Sequence, residues 1–495
     1  MANNRIQALF PLAVDAVRNG AGQIVCRING DADPTNDNAA CIPINLFGEN
    51  QWDPRAKDFF YGTGWQNATI TQNVAAANLR GDVFSTWAGP VSVAAGFEWR
   101  RDSIRGDADP ISLANGWYVG NGSAVSGRVT VKEGYFEAAV PLAKDLPFAR
   151  NLELNGAIRL TDYSTSGSVT TWKGGVIYDP VEGLRIRATR SRDIRAPNLL
   201  ELFGSTSSVS SRIVDATGVQ DLPRVFTGGN PLLKPEIADT WTAGVVLSPL
   251  RGLRLSADYY DIKIKDAISQ VGAQTIVDRC QTANVPEFCA LITFEDTGTR
   301  QKVVEVRNPW LNLNTLIVRG VDIEADYRLA LGGDQTLGFR LLGSYIKDLI
   351  TVDTVGSINR AGQTGVQTGA QPGLPRWTLN GTITYDAGPF SANLQARYIS
   401  AGKMDVTLIG PTDKGYGTDL PNSISDNHIE AMLYLDLGMS YRFDLGNSRN
   451  VQLYTAVKNL TNPTPPVNVY SGSGTNPFLF DMVGRRFVMG VRLAY

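Results

Sequence analysis

Cys26 and Cys41 form one close-spaced pair and Cys280 and Cys289 another, in a chain that has no further cysteine. Four cysteines allow three connectivities, and the short separations favour the two local ones. Neither pair has the two-residue gap of a zinc knuckle, and His428 is the single histidine that could help complete a zinc site. Disulfides made in an oxidising compartment are the better reading, each contributing roughly 3 kcal/mol in the chain-entropy model. The run Asp31-Ala32-Asp33-Pro34-Thr35-Asn36-Asp37-Asn38 invites comparison with a calcium loop. Asp31 and Asp33 fit the first two ligand positions, but Asn36 stands where the turn glycine belongs and Ile42 where the bidentate glutamate belongs. The run fails as an EF-hand and reads as a solvated turn. His428, in the polar stretch Ser425-Asp426-Asn427-His428, is the sole base for a Ser-His-Asp triad and reads as a solvated imidazole. There is no phosphate loop and no H-E-x-x-H helix. The expectation is a non-enzyme with no metal and no cofactor.

Binding is then the chemistry left to consider. The richest polar stretches are 194–234, 267–310 and 401–428, and within or beside them Trp310, Asp413 and Tyr416 are candidates to touch a ligand. A net charge of −2 argues against nucleic acid as a partner.

The elements that must position such residues are legible from periodicity. Leu152, Leu154, Ile158 and Leu160 alternate with Glu153, Asn155 and Arg159. The same two-residue period runs through Val91–Arg100, Val321–Leu329, Phe390–Tyr398 and Leu433–Phe443, which places Leu435 on an apolar face and Asp436 on a polar one. The final residues Phe487, Met489, Val491, Leu493 and Tyr495 share one face, with Arg486 and Arg492 on the other. Connections between strands are short on one side (86–90, 144–148, 179–183, 248–252, 331–334, 386–389, 444–450). On the other they are mostly long (106–124, 193–234, 267–312, 350–373, 401–427, 461–480), 164–167 being the short exception.

No stretch approaches 18 consecutive apolar residues, so no helical span is expected. Strands of ~10–15 residues exceed the five or six usual in a soluble sandwich and suit a tilted crossing of ~30 Å of hydrocarbon. Trp99, Trp172, Tyr178, Tyr259, Tyr327, Trp377, Tyr385 and Tyr398 sit toward strand ends, as an interfacial girdle requires. The fold expected is all-β: an antiparallel transmembrane β-barrel wall of about fifteen strands, with short turns on one side and long loops on the other.

Three segments carry a family resemblance. Arg187-Ala-Thr-Arg-Ser-Arg-Asp-Ile-Arg-Ala-Pro-Asn-Leu-Leu-Glu-Leu-Phe203 resembles the strand-to-loop "S-x-x-x-R-A-P … L-x-x-L-F/Y" segment of TonB-dependent outer-membrane receptors. Asn230-Pro-Leu-Leu-Lys-Pro-Glu236 is similar to that family's "N-P-x-L-K-P-E" strand entry, and Val457-Lys-Asn-Leu-Thr-Asn462 to its "V-x-N-L-F/T-N" strand end. The aromatic-tipped last strand, Phe487 to Tyr495, resembles the signal read by the barrel assembly machinery.

The resemblance implies a Gram-negative outer-membrane protein in contact with lipid. It also implies a nutrient ligand (ferric siderophore, cobalamin or oligosaccharide) held by extracellular loops, and coupling to TonB through a plug domain. No plug, TonB box or secretory signal is found here, so the chain is expected to be the C-terminal part of a 22-stranded barrel, with about seven strands upstream. Residues 1–66 would be the extracellular loop region entering the barrel, residues 67–495 the barrel, and the protein a monomer. Arg192 and Arg195 are expected to be chiefly architectural, with contact to ligand or plug as the other role. A passive porin, an outer-membrane enzyme or adhesin, and a secreted soluble β-protein are the competing classes. The porin would lack the Arg-Ala-Pro and Asn-Pro-Leu-Leu-Lys-Pro segments, and the enzyme or adhesin would need a catalytic constellation or passenger domain that is not found here. Extraction without detergent would mark the soluble protein.

Overall fold

A computed structural model of the chain describes residues 2–47, 53–118, 120–353, 356–365, 373–420, 422–446, 449–468 and 474–494. Fifteen strands follow one another through a single antiparallel sheet in chain order, with no crossover. They are β1 (Gln66–Thr86), β2 (Gly89–Ala108), β3 (Val125–Leu146), β4 (Ala149–Tyr163), β5 (Gly167–Val181), β6 (Leu184–Arg195), β7 (Glu236–Leu250) and β8 (Leu253–Ser269). The wall continues through β9 (Leu311–Gly332), β10 (Gln335–Val352), β11 (Trp377–Ala387), β12 (Phe390–Ile399), β13 (Met432–Gly446), β14 (Arg449–Lys458) and β15 (Arg486–Ala494). A short strand, Ser357–Asn359, hangs on β10. Lengths run from 9 to 22 residues, so several strands outrun the ~10–15 expected and stand clear of any bilayer core.

Seven of the strand connections hold two residues each, and several need a positive φ. At Gly252 (φ 82°) an added Cβ would collide with the Arg328 carbonyl, while the Gly252 carbonyl accepts the Arg328 N–H at 2.9 Å. Successive turns are therefore locked to each other at that end.

The two faces of the sheet separate as the alternation requires. On β4 the exposed Leu154, Ile158 and Leu160 alternate with Glu153, Asn155 and Arg159, and Arg159 pairs with Glu133 of β3 at 2.8 Å. Cross-strand register carries the apolar face onward: Leu79↔Ala95↔Phe136↔Ile158↔Trp172. Leu79 is 78% exposed and Trp241 56%, and large apolar side chains are exposed along every strand of the wall except β12. A water-soluble monomer does not display an apolar area of that extent, whereas hydrocarbon is its natural solvent. Aromatics border this face at both ends. Trp99, Trp172, Trp241, Tyr259 and the Tyr345–Trp377 pair (4.8 Å) lie toward the long loops; Tyr327, Phe339, Tyr441 and Phe443 lie toward the turns.

The inward face is polar and includes Arg187–Asp258 (2.7 Å) and Arg340–Glu324 (3.0 Å). Glycines on it make room for a neighbour's tyrosine: a Cβ at Gly96, Gly320 or Gly490 would overlap Tyr135, Tyr260 or Tyr454. No apolar core lies within the wall. All four buried clusters among the described residues sit at its long-loop end.

Residues before β1 also pack at that end. Ala2–Arg5 pairs with Tyr61–Gly64, and helices Leu9–Val14 and Pro54–Phe60 bury Ala13, Ala56 and Phe60 together with Ile44. The Cys26–Cys41 disulfide (2.08 Å) fastens this segment, and Trp117 from the following loop packs over Gly62 and Gly64. The sheet has two edges, β1 and β15, which do not pair with one another. Tyr495, the last residue of the expected terminal signature, lies outside the described residues; Phe487, Met489, Val491 and Leu493 lie on β15 and are exposed.

Candidate ligand-facing surfaces

The Arg-Ala-Pro and Asn-Pro-Leu-Leu-Lys-Pro-Glu segments meet in space. β6 ends at Arg195 opposite Glu236, the first residue of β7. Arg195 donates through Nε and Nη2 to Glu236 (2.9 and 2.7 Å) and through Nη1 to both oxygens of Glu201 (2.9 and 3.0 Å). Pro197 then stops the ladder, having no N–H to give, and Asn198 caps helix Leu199–Phe203 in a box with Glu201. Glu236 also accepts the Ile268 N–H of β8 at 2.7 Å. Asn230 donates to the Trp310 carbonyl (2.8 Å), and Asn312 brackets Lys234 from both sides (2.9 Å each). Leu202 and Leu233 are buried with Val129, Val131 and Ile268 beneath Phe203 and Trp310. The two motifs are thus halves of one clamp where strands leave the wall.

Above this clamp, loops 196–235 and 270–310 fold into a common module. Arg224–Gly228 lies parallel to Glu305–Pro309, with Ser207–Ser210 and Ile292–Asp296 on either side. Ile213, Val225, Ile276, Val277, Phe288, Val303 and Val306 form its core, and the Cys280–Cys289 disulfide (2.11 Å) joins helices Ala273–Gln281 and Pro286–Cys289. Arg300 bridges the two loops, reaching Asp215 (2.8 Å) and Asp221 (2.5 Å). The Arg300 guanidinium holds the Asp221 carboxyl below its ordinary range against the cost of burial, and a Thr217 hydroxyl does the same for Asp215. Sequence reasoning read these stretches as loops. The alternation in Gln301-Lys-Val-Val-Glu-Val-Arg-Asn308 was the available sign of a strand.

On the inward face, β12, β13 and loop 477–486 enclose a cavity of about 530 Å³. Gln395, Arg397, Tyr434 and Arg486 line it, and Phe478, 90% exposed, overhangs it. The Arg397 guanidinium stacks on the Tyr434 ring at 4.6 Å. The cavity wall is held by the Val457–Asn462 motif: Asp436 accepts from Lys458 Nζ (2.9 Å) and the Asn459 N–H (2.8 Å), while Asn459 donates to Asp481 (3.1 Å). Asn459 and Asn462 take positive φ (53° and 49°), which explains asparagine at both places. None of Gln395, Arg397, Tyr434, Phe478 or Arg486 stood out in the sequence, because alternation fixes a face and says nothing about what lies opposite.

The five residues singled out earlier are not brought together. Arg192 shares the outward face with Trp172 and Trp241 and pairs with Asp239 (2.9 Å), away from the inward surface. Arg195 faces inward but is committed to the clamp. Trp310 is half-buried against Leu202 and Leu233. Asp413 accepts Lys403 Nζ (2.8 and 3.0 Å) and the Gly410 N–H (3.0 Å), with Tyr416 half-buried nearby. His428 is exposed, and Asp31 and Asp33 close their own turn by accepting the Asp33 and Thr35 N–H groups. Among the described residues no set of three His, Cys, Asp or Glu is placed to hold a metal ion.

A lipid-faced wall with a polar interior and folded loops at one end defines the outer-membrane β-barrel class. Residues 29–460 match the family model for the TonB dependent receptor-like β-barrel, and the chain belongs to that family. Its place is therefore the outer membrane of a Gram-negative bacterium. Similar solved structures include a variant of the ferric enterobactin receptor PfeA of Pseudomonas aeruginosa (16% identity, 90% of this chain, 56% of that chain, TM-score 0.57). The siderophore receptor PirA of Acinetobacter baumannii (15%, 92% and 57%, 0.56) and the RagAB peptide transporter (11%, 90% and 57%, 0.54) are also similar. At such identities the likeness is one of fold, and the chain spans little more than half of each of these proteins. No curated protein matches the chain by sequence.

Proposed function

We propose that this chain forms the ligand-facing part of a receptor that imports a large, scarce nutrient through the outer membrane, driven by TonB through a plug domain. Further strands would pair with the edges of β1 and β15 to close the wall, since unpaired backbone groups are costly in hydrocarbon. The observation that carries the reading is the module built from loops 196–235 and 270–310, a fixed structure at the mouth of a polar interior. A passive porin has no use for such a closure.

A ferric siderophore is the ligand class favoured among the three that the family resemblance raises. The cavity beside β12 and β13 sets Arg397 against the Tyr434 ring and Arg486, paired with Asp481 (3.4 Å), beside Phe478, and these aromatic and guanidinium faces suit a ligand carrying aromatic rings. Two of the similar structures are siderophore receptors. The test is ligand titration of the receptor, purified from outer membranes, by tryptophan fluorescence. Ferric catecholate-type siderophores should quench in the micromolar range or tighter, with Arg397→Ala weakening binding ~10-fold or more. Saturable binding of an oligosaccharide or peptide, with no response to any ferric chelate, would refute the siderophore assignment.

A further inference from the structure

The outward face changes character abruptly above Trp99. On β2 the outward residues run Val93, Ala95, Phe97, Trp99 and then Arg101, Ser103, Arg105. On β3 they run Val140, Ala138, Phe136, Gly134 and then Lys132, Thr130, Arg128. The opposite face of the same strands carries its own closed network, in which Arg100 pairs with Glu98 (2.8 Å) and Asp102 (3.2 Å). Arg101, Arg105, Arg128 and Lys132 are excluded from that network by the alternation.

Cross-strand register places Lys132 beside Trp99 and Arg128 beside Ser103, between Arg101 and Arg105. Four cations therefore share a patch about 20 Å tall, at ~3.3 Å per residue along a strand. All four are exposed, and among the described residues none forms an ion pair; Arg101 stacks on Trp99 at 5.4 Å. Two carboxylates border the patch and offset part of its charge: Asp162, across from Lys132, which also accepts the Ser168 hydroxyl (2.7 Å), and Asp107, two residues beyond Arg105, which accepts the Ala108 N–H (2.9 Å). Farther round the wall outward cations and carboxylates alternate from strand to strand: Arg192 and Lys265 meet Asp239, Arg319 meets Asp261 and Asp348, Lys263 stands across from Asp239, and Arg190 lies over Trp241.

An excess of like charges on neighbouring strands is unfavourable unless a further anion lies among them. Directly above an apolar, aromatic-bordered face, the anion within reach is the phosphate of a lipid headgroup. We infer that Arg101, Arg105, Arg128 and Lys132 form a docking site for a phosphorylated glycolipid headgroup in the outer leaflet, whose acyl chains lie along the apolar strip from Phe97 and Phe136 downward. Lys132, level with Trp99, and the two arginines above it reach the phosphates, and the remaining arginine closes the patch toward the loops.

The test titrates the receptor, purified from outer membranes in detergent, with bis-phosphorylated lipid A and with the same lipid after its phosphates are removed, read by native mass spectrometry. The phosphorylated lipid should bind at least 10-fold more tightly. The fourfold variant Arg101→Gln/Arg105→Gln/Arg128→Gln/Lys132→Gln should lose most of that difference, whereas the inward-facing Arg340→Gln should keep it. Correct folding of each variant is read from heat-modifiable electrophoretic migration. If the fourfold variant does not fold, Arg128→Gln/Lys132→Gln is scored in its place, with at least a threefold loss expected. Equal affinity for the two lipids, retained preference in the variant, or displacement of the lipid by millimolar inorganic phosphate would each overturn the assignment.

Discussion

Arg195 donates to two carboxylates at opposite ends of the β6–β7 connection, Glu201 in its first helix and Glu236 at the start of β7, and its planar fork is the reason one side chain can do so. Arg195→Ala leaves Glu201 and Glu236 with unmatched negative charge in a half-buried setting, at a cost of about 1–3 kcal/mol. Arg195→Lys should recover little, because a single ammonium cannot span both partners. Urea unfolding of the two variants in detergent measures this; a lysine variant as stable as the parent would contradict the bidentate account.

Asp109 makes a complementary point about pH. Burial pushes its carboxyl up, but the Ser112 hydroxyl and N–H, the Trp65 N–H and the Trp117 indole all donate to it and hold it at about 2. Its folded value lies below the ordinary 3.8, so its stabilisation is complete above about pH 4 and is lost as pH falls from there toward 2. Trp117 is 2% exposed and donates to Asp109 at 3.0 Å, so its fluorescence reports the event. Emission should hold steady down to about pH 4 and shift to the red below it. In Asp109→Asn the shift on further acidification should disappear.

Elements divide into those that alternation can find and those it cannot. The wall was legible because each strand must present grease to one side and polar groups to the other, a constraint written into every second residue. The short turns were legible for a similar reason: Gly183, Gly252 and Gly388 sit where φ is positive. Gly252→Ala should cost about 1–2 kcal/mol from φ alone, more with the Arg328 carbonyl in the way. The refolding yield of that variant in detergent is the check.

The loop module was not legible. Its sheet pairs segments from two loops in parallel, so the partner of Arg224–Gly228 lies some eighty residues away and only tertiary packing brings it near. The same limit applies to the cavity at Arg397 and Tyr434, and to Asp436. Alternation assigns Asp436 correctly to the polar face but does not reveal that it pins Asn459, so a neutral side chain there need not be harmless. Replacing both Cys280 and Cys289 by serine should loosen the module and leave the wall intact. Hydrogen exchange would show lost protection across 301–309 with β2 to β5 unchanged; equal loss in both would mean that module and wall are one cooperative unit.

For the molecule as a whole, sidedness decides everything else. Outward residues need hydrocarbon, inward residues need water or a plug, and the loops gather at one rim where a ligand can be met. β13 is the clearest strand on which to examine this, with Leu433, Leu437, Met439, Tyr441 and Phe443 alternating with Tyr434, Asp436, Ser440 and Arg442. Leu437→Arg, well inside the apolar band, should cost ~2–4 kcal/mol, against little for Ser440→Arg on the inward face. A spin label placed in turn at each position from 433 to 443, in the receptor reconstituted in lipid, asks the question directly. Accessibility to dissolved oxygen should peak at the odd positions, and accessibility to a water-soluble nickel chelate at the even ones, with a period of two. Both probes peaking together, or the odd positions favouring the nickel chelate, would contradict the lipid-facing wall on which the account stands.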